Sequence, residues 1–77
     1  MKIKVVVFAD VRIALGFSER IVEVSETETP RNILHGIAPD YVLDKSIRVA
    51  VNQNYADWDL PVGNAFEMAI IPLVSGG

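Results

Sequence analysis

The chain spends 77 residues without a single cysteine, and that limits what it can fold into more than any other feature. At this size only about 60% of the unfolded chain's surface becomes buried on folding. Neither a disulfide nor a Cys-based zinc site can supplement the core. The one histidine, His35, cannot build a metal cluster by itself, so no metal site is expected. Stability must come from apolar packing, and a hydrophobic fraction of 51% is enough to attempt it.

The apolar residues are arranged for a sheet with one covering helix. Residues 2–9 are rich in β-branched side chains and read as a strand. Lys2, Lys4, Val6 and Phe8 fall on one face, with Ile3, Val5, Val7 and Ala9 on the other. Asp10 stands where the N-cap of a helix of little more than one turn is expected, and Gly16 where that helix should stop. Residues 19–24 alternate charged and apolar as a half-exposed second strand. Thr29-Pro30 pairs an N-cap with proline at the first helical position of the main helix. Ile33, Leu34 and Ile37 are that helix's stripe, and Pro39 ends it. A third strand carries Ile47, Val49 and Val51. A short extended stretch covers residues 55–58, a turn falls within 60–64, and the last strand spans 66–71. The expectation is one α+β domain over residues 1–72, a sheet of four to five strands under one main helix, followed by a flexible tail at 73–77. Its core should take Ile3, Val5, Val7, Val22, Val24, Ile33, Ile37, Val49, Val51, Phe66, Met68 and Ile70.

Several function classes fall away. The net charge is −3, with no basic stripe to follow a nucleic acid. The apolar run at the start is short and meets Asp10 and Arg12 at once, which suits a strand better than a signal peptide. No stretch approaches the ~20 apolar residues of a membrane helix. A soluble, cytoplasmic protein is expected. Asp40 with Asp44, and Asp57 with Asp59, sit in loop-like segments without a histidine partner and read as solvated turn residues. Gly36 and Gly63 lack the spacing and lysine of a phosphate loop. No nucleophile–base pair can be assembled, so the chain is expected to have no catalytic side chains of its own.

Two features exceed what the fold requires. If Met68 and Ile70 face inward, Ile71 faces outward beside Val6 and Phe8, among charges. A contiguous apolar patch of this kind marks a partner surface, although single exposed apolar residues are ordinary. The sequence then closes on Val74-Ser75-Gly76-Gly77. Two glycines pack nothing and cost ordering entropy, which fits a frayed end or a tail shaped to thread into an enzyme. Pro72 offers no N–H to a ladder, so residues 73–77 should leave the sheet extended and reach roughly 17 Å at ~3.3–3.6 Å per residue.

Three segments together resemble the small, sulfur-carrying (MoaD-like) subunit of molybdopterin synthase, a ubiquitin-like β-grasp family. They are Val5-Val6-Val7-Phe8-Ala9-Asp10-Val11-Arg12 followed by Gly16, then Val49-Ala50-Val51-Asn52-Gln53, and finally Ile70-Ile71-Pro72-Leu73-Val74-Ser75-Gly76-Gly77. The likeness runs the length of the chain in order and spacing. It departs at Ile13, where the family commonly carries Glu, and at Gly63-Asn64-Ala65-Phe66-Glu67, where a Gly-Asp-Glu turn is usual. It also departs at Leu73, the position of a second proline.

The resemblance implies a β-grasp fold with a mixed sheet and a carrier function. The Gly77 carboxylate would be adenylated by a partner enzyme using ATP and magnesium, then converted to a thiocarboxylate by a sulfur donor. The carrier itself would bind no cofactor. The loaded tail, through Val74, Ser75 and Gly76, would thread into the large synthase subunit and deliver sulfur for the dithiolene of molybdopterin. Two small and two large subunits would form a heterotetramer, with catalysis in the large one. Carried over position by position, Phe8, Tyr55 and Ile71 match the family's apolar contact surface. The alternatives are a carrier for thiamine or another sulfur metabolite, a ubiquitin-like protein modifier, and a non-catalytic β-grasp interaction module.

Overall fold

Alternation at the start of the chain puts Ile3, Val5 and Val7 on one face of a strand, and that face organises everything else. The computed structural model describes residues 1–72. Its elements are β1 (Lys2–Val7), α1 (Ala9–Leu15), β2 (Glu19–Glu23), α2 (Pro30–Ile37), β3 (Ile47–Val51), β4 (Asn54–Ala56) and β5 (Glu67–Pro72). The strands form one mixed sheet in the order β2-β1-β5-β3-β4. β1 and β5 run parallel at its centre, with Val5 opposite Met68 and Val7 opposite Ile70. The other pairs are antiparallel. This is the expected α+β β-grasp architecture. The short extended stretch is a true strand, but it starts at Asn54, and Trp58 lies beyond it.

The inner face of the sheet is the core. Ile3, Val5, Val49, Met68 and Ile70 are almost wholly excluded from water, each worth about 1.5–3 kcal/mol. Ile33 and Leu34 of α2 and Val11 of α1 belong to the same cluster. The start of α2 is as the sequence predicts. Thr29 Oγ1 accepts the Asn32 N–H at 3.2 Å, and Pro30 sits where its missing N–H is harmless.

Several local expectations are corrected. Helix α1 begins at Ala9 and spans seven residues, so Ala9 is not part of the strand. Its N-cap is Phe8, without a side-chain cap, and Asp10 lies in the first turn, where a carboxylate favours the helix dipole. The cause is a left-handed backbone at Ala9, φ 52°, which swings the chain out of β1 early. Gly16, at φ 83°, ends the helix as expected.

Phe66 is not in the core; it is 69% exposed. Asn52 Oδ1 accepts the N–H groups of both Phe66, at 3.0 Å, and Glu67, at 3.1 Å. This bend precedes β5, so the alternation of Met68 and Ile70 does not extend back to residue 66. Ala65 and Val62 are buried there instead. Val22, Val24, Ile37 and Val51 are only partly buried at the margin of the core, and Ile47 lies within it. Among the described residues, no helix is long and apolar enough to cross a membrane.

Candidate functional site

The outer face of the sheet carries the site. Strand register aligns Val6, Ala69, Ala50 and Tyr55 in one row across β1, β5, β3 and β4. The Phe8 N–H donates to the Ile70 carbonyl at 3.2 Å, which extends the β1–β5 alignment and sets Phe8 beside Ile71. Phe8 and Tyr55 are 48% and 73% exposed, whereas Ala50 and Ala69 between them are buried. Two methyl groups thus make a low floor between tall walls. The result is a shallow groove of about 480 Å³ with Phe8, Tyr55 and Ile71 as walls and Gln53 and Glu67 at one end.

Charge is placed at the ends of the groove. Glu67 Oε2 lies 3.9 Å from Lys4 Nζ. Beyond the opposite end, outside the lining, Arg48 stands opposite Ile71, the residue before Pro72, in the ladder and is exposed to solvent.

The hairpin that presents Tyr55 depends on Asn52 and Gln53. Both have positive φ, 51° and 70°, as a two-residue type I′ turn requires, and Asn tolerates that region better than most residues. The Val-Asn-Gln segment therefore has a backbone reason for its composition. The clue was an Asn directly after an alternating run.

The sequence-predicted residues divide in two. Phe8 at the β1–α1 junction, Tyr55 of β4 and Ile71 of β5 meet in this one groove. Val74, Ser75, Gly76 and Gly77 lie outside the described residues. The alanine floor and Arg48 were not singled out from the sequence, since small side chains and a lone surface Arg look unremarkable until the register aligns them.

Several other ionisable groups are held by local structure. Asp44 Oδ1 accepts the Ser46 N–H at 2.8 Å, which holds its carboxyl below the usual range. Asp59 accepts a bidentate pair of bonds from Arg31 at 2.7 and 3.2 Å and is lowered for that reason. Asp57 Oδ1 accepts the Asp59 N–H. Partial burial, with Asp44 nearby, raises the Tyr41 phenol. His35 is exposed. Among the described residues, no three His, Cys, Asp or Glu side chains gather as a metal site would need.

The fold has counterparts among solved structures. SAMP1 from Haloferax volcanii superposes with a TM-score of 0.78 at 26% identity, over 100% of both chains. A Pyrococcus furiosus protein, provisionally named molybdopterin converting factor, subunit 1, gives 0.76 at 24% identity, over 96% of this chain and 99% of its own. The HVO 2177 protein of Haloferax volcanii gives 0.74 at 17% identity, covering 100% of this chain and 87% of that one. The last two likenesses are of fold alone. Residues 5–77 match the ThiS family, a span that takes in all but the first residues of β1 and runs on through the diglycine. The fold is the one used by sulfur carriers and ubiquitin-like modifiers, and the chain belongs to the ThiS family.

Proposed function

We propose that this protein is a sulfur carrier that works through the carboxylate of Gly77, with the outer-sheet groove as the handle by which partner enzymes hold it. The observation that carries this reading is the family match through residue 77, beside a groove whose wall residue Ile71 is six positions from that glycine.

The chemistry follows from the carboxylate itself. An α-carboxyl with a pKa of roughly 3.3–3.7 is an anion at neutral pH and resists attack by sulfur. An adenylating partner joins it to the α-phosphate of ATP, with magnesium, and pyrophosphate leaves. The acyl-adenylate is electrophilic, and sulfur from a donor displaces AMP to leave a thiocarboxylate. Glycines at 76 and 77 place no side chain in the path of the tail. This chain's own part is to bind and to orient. Phe8, Tyr55 and Ile71 supply apolar contact, and Arg48 a cation opposite Ile71.

The finer assignment is the small subunit of molybdopterin synthase, paired with a large subunit that uses the sulfur for dithiolene formation. The three sequence segments and the Pyrococcus furiosus neighbour support it. A second reading is favoured by SAMP1, whose name is small archaeal modifier protein 1. In that reading the same acyl-adenylate ends in an amide with a lysine of another protein.

Mass spectrometry separates these outcomes. The protein is incubated with ATP, magnesium, an adenylating enzyme of this family and sulfide. Exchange of one oxygen for sulfur at Gly77 is expected, and its absence overturns the carrier reading. Loss of that sulfur on adding a large synthase subunit and a pterin precursor supports the molybdopterin assignment. Lysine conjugates in its place support the modifier.

A further inference from the structure

A second hollow lies on the other side of the domain, where α2 runs beside the edge strand β2. Its apolar lining is Val22, Val24, Ile33 and Ile37, and its volume is about 560 Å³. Glu23 and Glu28 are on the rim, and neither Lys nor Arg lines it. One carboxylate oxygen of Glu23 faces the Met1 amino group at 3.3 Å, while Glu28 is in none of the ion pairs among the described residues.

Two further observations give this hollow a direction. Among the described residues β2 ends the sheet and pairs only with β1. The bonds from Val24 to Met1 and from Val7 to Ser18 set the antiparallel alternation. They leave the N–H and C=O groups of Glu19, Ile21 and Glu23 pointing away from β1, without a backbone partner among the described residues. A strand added there would alternate its side chains between the hollow and Ile21 on the outer face, and Ile21 is 65% exposed.

The second observation is Gly36, in the last turn of α2 and on the lining of the hollow. Its φ is not positive, and a β-carbon there would meet nothing within 4 Å. Neither backbone nor packing calls for glycine, yet glycine is among the poorest helix formers. What it does is keep the hollow open.

We infer that this hollow docks an extended segment of a partner protein, a short apolar run flanked by Lys or Arg, added as a sixth strand along β2. The acidic rim selects the basic flanks. A second copy of this chain is disfavoured, because antiparallel β2 pairing centred on Ile21 sets Glu19 against Glu23, a like-charge pair. The surface is remote from the sheet-face groove, so the inference stands apart from the sulfur chemistry.

The test uses the whole protein and two labelled synthetic peptides, Lys-Arg-Val-Ile-Val-Ile-Lys-Arg and Glu-Asp-Val-Ile-Val-Ile-Glu-Asp. Fluorescence anisotropy should show the basic peptide binding about tenfold or more tighter at low salt. Amide NMR signals of Glu19, Ile21 and Glu23 should move. Gly36→Leu should weaken that binding about tenfold without lowering the melting temperature, since leucine is the better helix former. Glu23→Lys with Glu28→Lys should reverse the preference between peptides. Four outcomes would each overturn the proposal: no saturable binding, equal binding of both peptides, shifts confined to the Ala50–Ala69 face, or dimerisation of the free protein through β2.

Discussion

Asn52 Oδ1 accepts the backbone N–H of Glu67 at 3.1 Å, and the Asn52 N–H donates to the Glu67 carbonyl at 3.0 Å. One residue of the β3–β4 turn thereby fixes where β5 begins, and with it the register of the strand that leads to residues 73–77.

Asn52 should therefore show two separable contributions. Asn52→Gly keeps the left-handed backbone and loses the acceptor, at a cost of about 1–2 kcal/mol. Asn52→Ala loses both, at about 2–3 kcal/mol. The single tryptophan, Trp58, donates to the Ile47 carbonyl at 3.2 Å and reports unfolding in urea. Equal losses for the two variants would show that the turn conformation carries no strain.

The groove predicts a split between binding and folding. Phe8→Asp and Ala69→Leu should sharply weaken association with the adenylating enzyme. An unpaired carboxylate at an apolar contact costs several kcal/mol in principle, and a leucine fills the floor. Thermal stability should change little for Phe8→Asp, as surface changes stay within about 0.5 kcal/mol. Val5→Asp, on the opposite face of the same sheet, should unfold the domain. Titration calorimetry and thermal melts on the three variants check the pattern.

Ala9 makes the turn from β1 into α1 at positive φ. Ala9→Val should destabilise by about 1–3 kcal/mol, and Ala9→Gly should be neutral or stabilising because glycine relieves the strain. A valine variant as stable as the wild type in urea would contradict the left-handed geometry.

The Arg31–Asp59 pair predicts a direction with pH. Asp59 titrates below its unfolded value because Arg31 bonds its carboxylate. Its contribution is complete above the usual carboxylate range and is lost as pH falls through the lowered folded value. Both side chains are largely exposed, so the effect is small and screened by salt. An NMR titration of the Asp59 carboxyl in wild type and Arg31→Gln checks it, with the variant returning toward the ordinary value.

Much of this was legible in the sequence because it rests on local rules. The two faces of β1, the Thr29-Pro30 start of α2 and the stop at Gly16 each follow from one or two residues. The misplaced features depend on contacts distant in sequence. Phe66 looks like core by extending the alternation of Met68 and Ile70, and only Asn52, fourteen residues earlier, bends it out. The early start of α1 rests on a backbone angle at Ala9 that alanine does not advertise. The groove was half visible: parity turned Phe8 and Ile71 outward, but its floor needs Ala50 and Ala69 paired across β3 and β5.

The parallel pairing of β1 with β5 couples the first strand to the last. The β1–β2 and β3–β4 pairs cannot join into one sheet until β5 is available between them, and such sequence-distant pairing makes for slow folding. On a ribosome, a nascent chain interrupted before β5 lacks the central strand and presents exposed apolar surface to quality control. The groove needs Ile71 beside Phe8, so a chain that stops short of β5 has no such surface to offer.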